Sequence, residues 1–460
     1  MTSGIQEDTS SFRDPSGVVF AKDGIVYRQV NKHYEKQYRH LMDKGLYKDI
    51  IKNRLMVSHE ETDMTPPIGD QGFLVIKPQQ IPMISYPYEW CFGQLKDAAL
   101  LTLNVHRQAM EFGMILKDAS AYNVQFLNGR PIFIDTLSFD FYQEGMPWVS
   151  YGQFCKHFLA PLLLMAFKDV RLLQLLRVYI DGIPLDLASR LLGREGGMVA
   201  AQHIHLHAKA TEKYGQAGHD EAPVKKVSIS KFQHTALIDS LIRSIEKLTL
   251  KGEATEWGDY YSHTNYTDES AGRKGEIVSD FLGRSGAKVV WDFGANDGTY
   301  SRLALRSEDA FVVAFDIDPN AVGRNYTDVK KSGEAMLPLL LDLANPSPAI
   351  GFANEERTAI TGRQKPECIL SLALIHHLAI SNNLPLPLLA RWYSGLSEYL
   401  IIEFVPKEDS QVKKLLATRD DIFVSYTKDG FEAAFGEFFE IIASEGIEGT
   451  CRTMYLLRKR

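Results

Sequence analysis

Apolar and polar positions divide this chain into two stretches with different rhythms. Residues 1–16 are polar and read as a frayed end. From Gly17 to Val30 the pattern predicts two short strands joined at Lys22-Asp23-Gly24. A helix-like stretch follows from Asn31 to about Asn53, then strands near 55–60 and 72–77, punctuated by Pro66, Pro67, Pro78, Pro82 and Pro87. Between Trp90 and His207 the pattern is mainly helical, with apolar stretches at Leu95–Ile115 and Phe154–Leu192 and a β-like island at 123–134. Residues 208–231 are polar and aperiodic, the best linker candidate, and a helix is expected from Phe232 to about Leu250.

After Lys288 strand and helix signals alternate. Strands fit at 288–293, 311–316, 337–341, 367–372 and 399–404, and a closing pair at 438–442 and 453–457. That alternation predicts a mostly parallel sheet covered by helices on both faces, with an antiparallel edge. No internal repeat appears.

Composition narrows the class. A length of 460 residues favours two or three domains, and 45% hydrophobic with 24% charged residues is the balance of a soluble globular protein. The net charge of −7, with no basic run before Arg458-Lys459-Arg460, argues against a large nucleic-acid footprint. Cys91, Cys155, Cys368 and Cys451 stand far apart, which disfavours a zinc site or disulfide framework and suits a reducing compartment. The first residues lack a secretion signal, and the most apolar segment, Phe158–Phe167, is about half of what a bilayer requires. The expected location is cytoplasmic, with no membrane partner. No feature sets an oligomeric state.

The strongest chemical motif runs from Val289 to Ser301: an apolar strand, Asp292, the turn Gly294-Ala295-Asn296-Asp297-Gly298, then a helix start. Gly294 and Gly298 let the backbone pass close to a ligand, and Asn296 tolerates positive φ better than most residues. A second strand, Phe311–Phe315, ends in Asp316, whose carboxylate can accept from both ribose hydroxyls. With these residues the segment from about Trp257 to Arg460 resembles the class I S-adenosylmethionine-dependent methyltransferases.

The resemblance implies a Rossmann-like fold and S-adenosylmethionine as cofactor. Asp292 would organise its methionine end, the Gly294–Gly298 loop would pack under it, Asp316 would bind ribose, and Asp342 would approach adenine. His376 and His377, after the fourth strand, would face the acceptor as candidate bases, although adjacent residues point in different directions and at most one would do so. Asp342 could equally be an ordinary loop carboxylate. A dinucleotide dehydrogenase shares the strand–turn–helix but not the Asp-x-Gly-x-Asn-x-Gly spacing. The aromatic residues around Trp257-Gly258-Asp259-Tyr260, Tyr266 and Lys274 either line the acceptor side, cover the cofactor, or pack the entry helix against the sheet.

In the first half, Asp118 and Asn123 stand five apart, followed by the 131–134 strand and Asp135. This layout, behind the Leu95–Ile115 helix, resembles the protein-kinase catalytic loop. The resemblance implies that Asp118 orients an acceptor hydroxyl and that Asn123 and Asp135 hold magnesium, with ATP as co-substrate. Leu116-Lys117 replaces the usual His-Arg, Thr136-Leu137 follows Asp135, and no glycine-rich loop precedes the site. Arg28 stands where a phosphate-pairing Lys is expected, with Glu35 or another helix carboxylate as its partner. The plain alternative is that Asp118 caps a turn and Asp135 pairs with a neighbouring base. His203, His205 and His207 would share a face on a strand but diverge on a helix, and no carboxylate or cysteine supports a metal there.

The sequence therefore predicts a kinase-like α+β domain over 17–207, a linker over 208–231 and an α/β methyltransferase domain over 232–460. The whole arrangement also resembles a bacterial family that includes a rhizobial nodulation host-specificity protein, which implies a small-molecule or glycan-related methyl acceptor. The alternatives are a bifunctional chain with an ATP–magnesium phosphotransferase, or a methyltransferase regulated by a pseudokinase-like module.

Overall fold

The computed structural model describes residues 4–193, 200–205, 228–250, 267–417 and 419–460. The chain divides into two compact units: Met1–Gly252 with Ala349–Thr358, and Glu253–Pro348 with Ala359–Arg460. Trp257–Tyr260, Tyr266, His207 and residues 208–227 of the expected linker lie outside the described residues.

The first unit opens with an antiparallel sheet in the order β1-β2-β3-β5-β4, formed by β1 Ile5–Glu7, β2 Gly17–Lys22, β3 Ile25–Asn31, β4 His59–Thr62 and β5 Gly72–Pro78. Asp23 (φ 52°) and Gly24 (φ 77°) supply the two left-handed residues that a tight hairpin between β2 and β3 requires. The expected fraying of residues 1–16 is corrected, because β1 pairs with β2 from Ile5↔Lys22 to Glu7↔Phe20. The expected helix after β3 is two helices, α1 Glu35–Asp43 and α2 Leu46–Lys52, broken at Gly45 (φ 87°).

The long helix α3, Phe92–Glu111, follows, and then four short strands: β6 Met114–Leu116, β7 Val124–Leu127, β8 Arg130–Phe133 and β9 Phe139–Phe141. β7 and β8 form a hairpin, and β6 pairs with β9, so residues 117–123 and 134–138 are loops held between them. The apolar helix α4, Ala160–Phe167, supplies much of this unit's core, and α5, Lys231–Glu246, closes the described part.

Helix α5 was expected to open the second domain. It belongs to the first unit because its buried Ile238, Leu241, Ile242 and Ile245 face α3. His234 also meets His106 (Nε2···Nε2 3.0 Å), and Lys96 donates to the Glu246 and Leu248 carbonyls.

The second unit is one seven-stranded sheet in the order β12-β11-β10-β13-β14-β16-β15. Its strands are β10 Val289–Phe293, β11 Phe311–Asp316, β12 Met336–Leu340, β13 Cys368–Ser371, β14 Tyr399–Phe404, β15 Phe439–Gly446 and β16 Thr453–Lys459. β10 to β14 run parallel, and β16 lies antiparallel between β14 and β15. Helices α6 Asp268–Ser285, α7 Pro319–Ser332, α8 Leu386–Leu396 and α9 Lys428–Gly436 flank it. This is the sheet of the Rossmann-like methyltransferases, doubly wound with an antiparallel strand entering beside the fifth. The order reverses between β10 and β13, and the carboxyl ends of the strands at such a switch point are where sheets of this kind take ligands.

One face of this sheet packs on α6 through Ile277, Val278 and Phe281, which meet Val290, Leu370, Ile401, Met454 and Leu456. Strand alternation puts Asp292, Glu403 and Arg452 on that same face, at its carboxyl-end rim.

Candidate functional site

The loop after β10 is built from positive-φ positions: Gly294 at 74°, Asn296 at 50° and Gly298 at 82°. Gly294 and Ala295 both donate to the Phe315 carbonyl at 2.9 Å, which ties the loop to the end of β11. The positive φ strains any side chain at Gly298, and a Cβ there would lie 2.7 Å from the Asn325 amide and 2.9 Å from Arg302 Nη1, so those side-chain ends would have to shift.

Asp316 ends β11 facing this loop. Its Oδ2 accepts from Asn296 N and its Oδ1 from Asp318 N, both at 2.8 Å. Each carboxylate oxygen can accept twice, so the locked group retains acceptor capacity suited to a hydroxyl-bearing ligand such as a vicinal diol. Burial is the main cause that pushes its carboxyl upward. Asp342 follows β12, is exposed, and accepts from Ala344 N at 2.8 Å in a local turn.

Asp292 is buried beneath the loop and accepts from Ser301 Oγ at 2.6 Å. Burial pushes it up to about 7; the nearby Lys274 ammonium opposes the shift and Asp316 reinforces it. The same rim carries a chain of buried charges. Glu403 accepts from Lys274 Nζ at 2.7 Å, from Ala373 N at 2.9 Å and from Arg452 Nη1 at 3.1 Å. Arg452 then grips Asp409 through Nε at 2.7 Å and Nη2 at 3.2 Å. None of these four side chains is more than 5% exposed. Lys274 Nζ also lies 4.6 Å from the Tyr300 ring centroid.

Sequence reading passed over Glu403, Asp409 and Arg452. The available signal was charge in an apolar setting: Glu403 interrupts Leu400-Ile401-Ile402, and Arg452 adjoins the apolar β16. Buried charges are paired, so each such residue implies a partner elsewhere in the chain.

His376 and His377 follow β13 with ring centroids 4.1 Å apart. His376 is fully buried and neither ring nitrogen has a hydrogen-bond partner among the described residues. Burial pushes it well below the usual histidine range, with His377, Arg452 and Lys274 adding to the effect. Burial and Arg452 lower His377 to about 4. Both rings are neutral at neutral pH, so they can accept a proton but are weak bases.

In the first unit, Asp118, Asn123 and Asp135 are joined by short contacts. Asp118 Oδ1 accepts from Ser120 N at 2.9 Å and Gln153 Nε2 at 2.8 Å. Asp135 Oδ1 accepts from Leu137 N at 2.8 Å and from the Arg28 guanidinium. Its Oδ2 accepts from Ser138 Oγ at 2.7 Å, and Asn123 Nδ2 donates to that hydroxyl at 3.1 Å. Burial raises the Asp118 carboxyl, and the negative Asp135 raises it further. The expected pairing of Arg28 with Glu35 or another helix carboxylate is corrected: Arg28 pairs with Asp135 and Asp14, both in loops, while Glu35 pairs with Arg39 one helical turn away.

A guanidinium on Asp135 occupies the charge that a magnesium ion would need, so these residues do not fit the ion as arranged. Among the described residues no group of three or more His, Cys, Asp or Glu gathers to hold a metal. His203 and His205 lie on a helix and face different partners, Tyr151 and Ser189.

No family model matches the chain. Along nearly its whole length it is similar to the nodulation protein NoeA of Rhizobium meliloti strain 1021, with 32% identity over 464 residues, 98% of this chain and 95% of that protein. Among solved structures it is similar to the N-methyltransferase NodS from Bradyrhizobium japonicum WM9, at 10% identity over 42% of this chain and 97% of that one, TM-score 0.31. It is also similar to magnesium protoporphyrin IX methyltransferase from Synechocystis PCC 6803, solved with bound SAH, at 17% identity over 44% and 93%, TM-score 0.31. The fold assignment rests on strand order and register, not on these scores. Among the described residues no helix is long and apolar enough to cross a membrane.

Proposed function

This chain belongs to the family of the nodulation protein NoeA, and from that premise and the geometry of its second unit we propose that it is an S-adenosylmethionine-dependent methyltransferase. The observation that carries the reading is Asp316: a buried carboxylate locked by Asn296 N and Asp318 N, facing a glycine loop at the switch point of the sheet. That donor and acceptor set suits a nucleoside ribose. The proposed acceptor is a small molecule, glycan-related or otherwise, as the nodulation-family resemblance implies. The chain's net charge of −7 disfavours a polyanionic one.

S-adenosylmethionine supplies a methyl group on an already electrophilic sulfonium. The protein then needs mainly proximity and alignment. Asp316 would hold the ribose hydroxyls, the backbone at Gly294–Gly298 would let the cofactor lie close, and Asp342 would border its adenine end. Asp292, poised near neutrality, would ionise beside the cationic methionine end. His376 or His377, neutral, would receive the proton that an O–H or N–H acceptor releases.

A second reading concerns the first unit. In it this unit is a kinase-like module, a reading supported by its sheet order, the two helices between β3 and β4, and the β6–β9 and β7–β8 pairs around Asp118 and Asp135. The Arg28–Asp135 ion pair favours a pseudokinase-like module over an ATP–magnesium phosphotransferase.

Thermal-shift measurements on the whole chain separate these readings. S-adenosylhomocysteine at a hundredfold excess over Kd should stabilise by about 2.7 kcal/mol. ATP with magnesium should give no shift. Stabilisation by NAD without any by S-adenosylhomocysteine would replace the methyltransferase reading with a dehydrogenase. A magnesium-dependent ATP shift would restore the phosphotransferase.

A further inference from the structure

We infer that a cavity of about 440 Å³ at the carboxyl edge of β14 receives the methyl acceptor, and that it admits a neutral or cationic molecule rich in O–H and N–H donors while rejecting anions. This deepens the methyltransferase reading and rests on it. The cavity lies between Glu408–Ser410, just after β14, and Gly449–Arg452, in the turn joining β15 to β16. The register Phe404↔Thr453 brings these two segments to the same end of the sheet as the Gly294–Gly298 loop.

Its volume suits a small molecule. The chemistry of the lining sets the class. No aromatic ring lines it, so there is no stacking platform for a nucleobase. The polar groups are Glu408, Asp409, Ser410, Thr450 and the Cys451 thiol, and the one cation, Arg452, is committed to Asp409 and Glu403. Arg452, Gln411 N and the Cys451 thiol occupy Asp409, so the surplus in the lining is the carboxylate of Glu408, one negative charge with its acceptor oxygens. A hydroxyl- or amine-bearing molecule would satisfy it, whereas a phosphate or carboxylate would meet Glu408 with no uncommitted cation among the lining residues.

The cavity is also wired to the cofactor side. Arg452, in its wall, reaches Glu403, which accepts from Ala373 N after β13 and from Lys274, and Lys274 acts on Asp292. The far wall is tied to α6, where Ser270 donates to the Glu448 carbonyl at 2.9 Å, beside Gly449 (φ 77°).

Cys451 is the exposed cysteine in this wall, while Cys91, Cys155 and Cys368 are buried, so it reports on the cavity. The full chain would be treated with trimethylammonium-ethyl or sulfonatoethyl methanethiosulfonate, with modification of Cys451 followed by peptide mass spectrometry. Relative to 2-mercaptoethanol, the cation-to-anion rate ratio should be raised roughly three- to tenfold, and Glu408→Gln should bring it back by about threefold. A ratio equal to the reference, or favouring the anion, overturns the proposal. S-adenosylhomocysteine affinity should stay within about twofold after the cationic label is attached. A loss beyond about tenfold would make the cavity part of the cofactor site and overturn its role as acceptor site. Should the unlabelled chain not bind S-adenosylhomocysteine at all, the methyltransferase reading fails, whatever the Cys451 rates show.

Discussion

Replacing Glu403 by Gln keeps the shape of the buried charge chain but removes the charge at its centre. Lys274 and Arg452 both lose their attraction to that carboxylate, although Arg452 keeps Asp409. Removing one partner from a buried pair costs about 3–5 kcal/mol, because the remaining charge is left uncompensated. Lys274 has an escape, since burial already lowers its pKa and it can release its proton. From an ordinary value near 10.4 that release costs about 4.6 kcal/mol at pH 7, at about 1.36 per unit, which caps the lysine's share. The expected loss of about 3–5 kcal/mol should lower the second unit's melting midpoint by roughly 6–20 °C. Scanning calorimetry on the full chain measures it. The deficit should shrink between pH 7 and 9.5, as losing the proton becomes easier. Lys274→Met in the Glu403→Gln background should restore part of the loss, giving a clear coupling energy in a double-mutant cycle. A Glu403→Gln loss below about 1 kcal/mol, the range of exposed ion pairs, would refute the argument.

Three further outcomes follow from the proposed cofactor site. Asp292 is pushed up to about 7, so in the free protein its contribution to stability is present below about pH 4 and is lost as pH rises through 7. A cationic ligand that needs the ionised form has the opposite dependence: S-adenosylmethionine affinity should fall up to tenfold per unit below pH 7, and Asp292→Asn should flatten that titration. Gly298→Ala should destabilise by about 1–3 kcal/mol, through positive φ and the approach to Asn325 and Arg302, and should weaken the cofactor; an unchanged melting point and affinity would show that the loop tolerates a side chain. If His376 takes up the acceptor's proton, His376→Ala should lower methyl transfer by roughly 10²–10⁴ with cofactor affinity nearly unchanged, whereas equal losses of both would mark it as structural.

The sheet of the second unit was legible because its strands are local and apolar. β11 and β14 fall on the residues expected, and β10, β12 and β13 lie within one residue of their expected bounds. The loop and Asp316 were legible for the same reason, since a strand, a glycine turn and an acid lie in one short stretch of chain. The Lys274–Glu403–Arg452–Asp409 chain was not, because its members come from three stretches far apart in sequence that only sheet registration and α6 bring together. The boundary near 232 was misplaced for a related reason. An amphipathic helix shows that it has a partner, not which one, and α5 chose α3. The segment Ala349–Thr358, between β12 and β13 in sequence, clusters with the first unit, and nothing in its own pattern announces that. The histidines 203 and 205 were ambiguous by period alone, and the helix settles their divergence.

Isothermal titration of S-adenosylhomocysteine into the wild-type chain and into Asp316→Ala tests the central claim most directly. The account predicts one site per chain in the wild type. In the folded variant, loss of hydrogen bonds to a charged acceptor, about 1.5–3 kcal/mol, should weaken binding roughly ten- to a hundredfold. No binding to the wild type, or equal affinity in the two proteins, would contradict it.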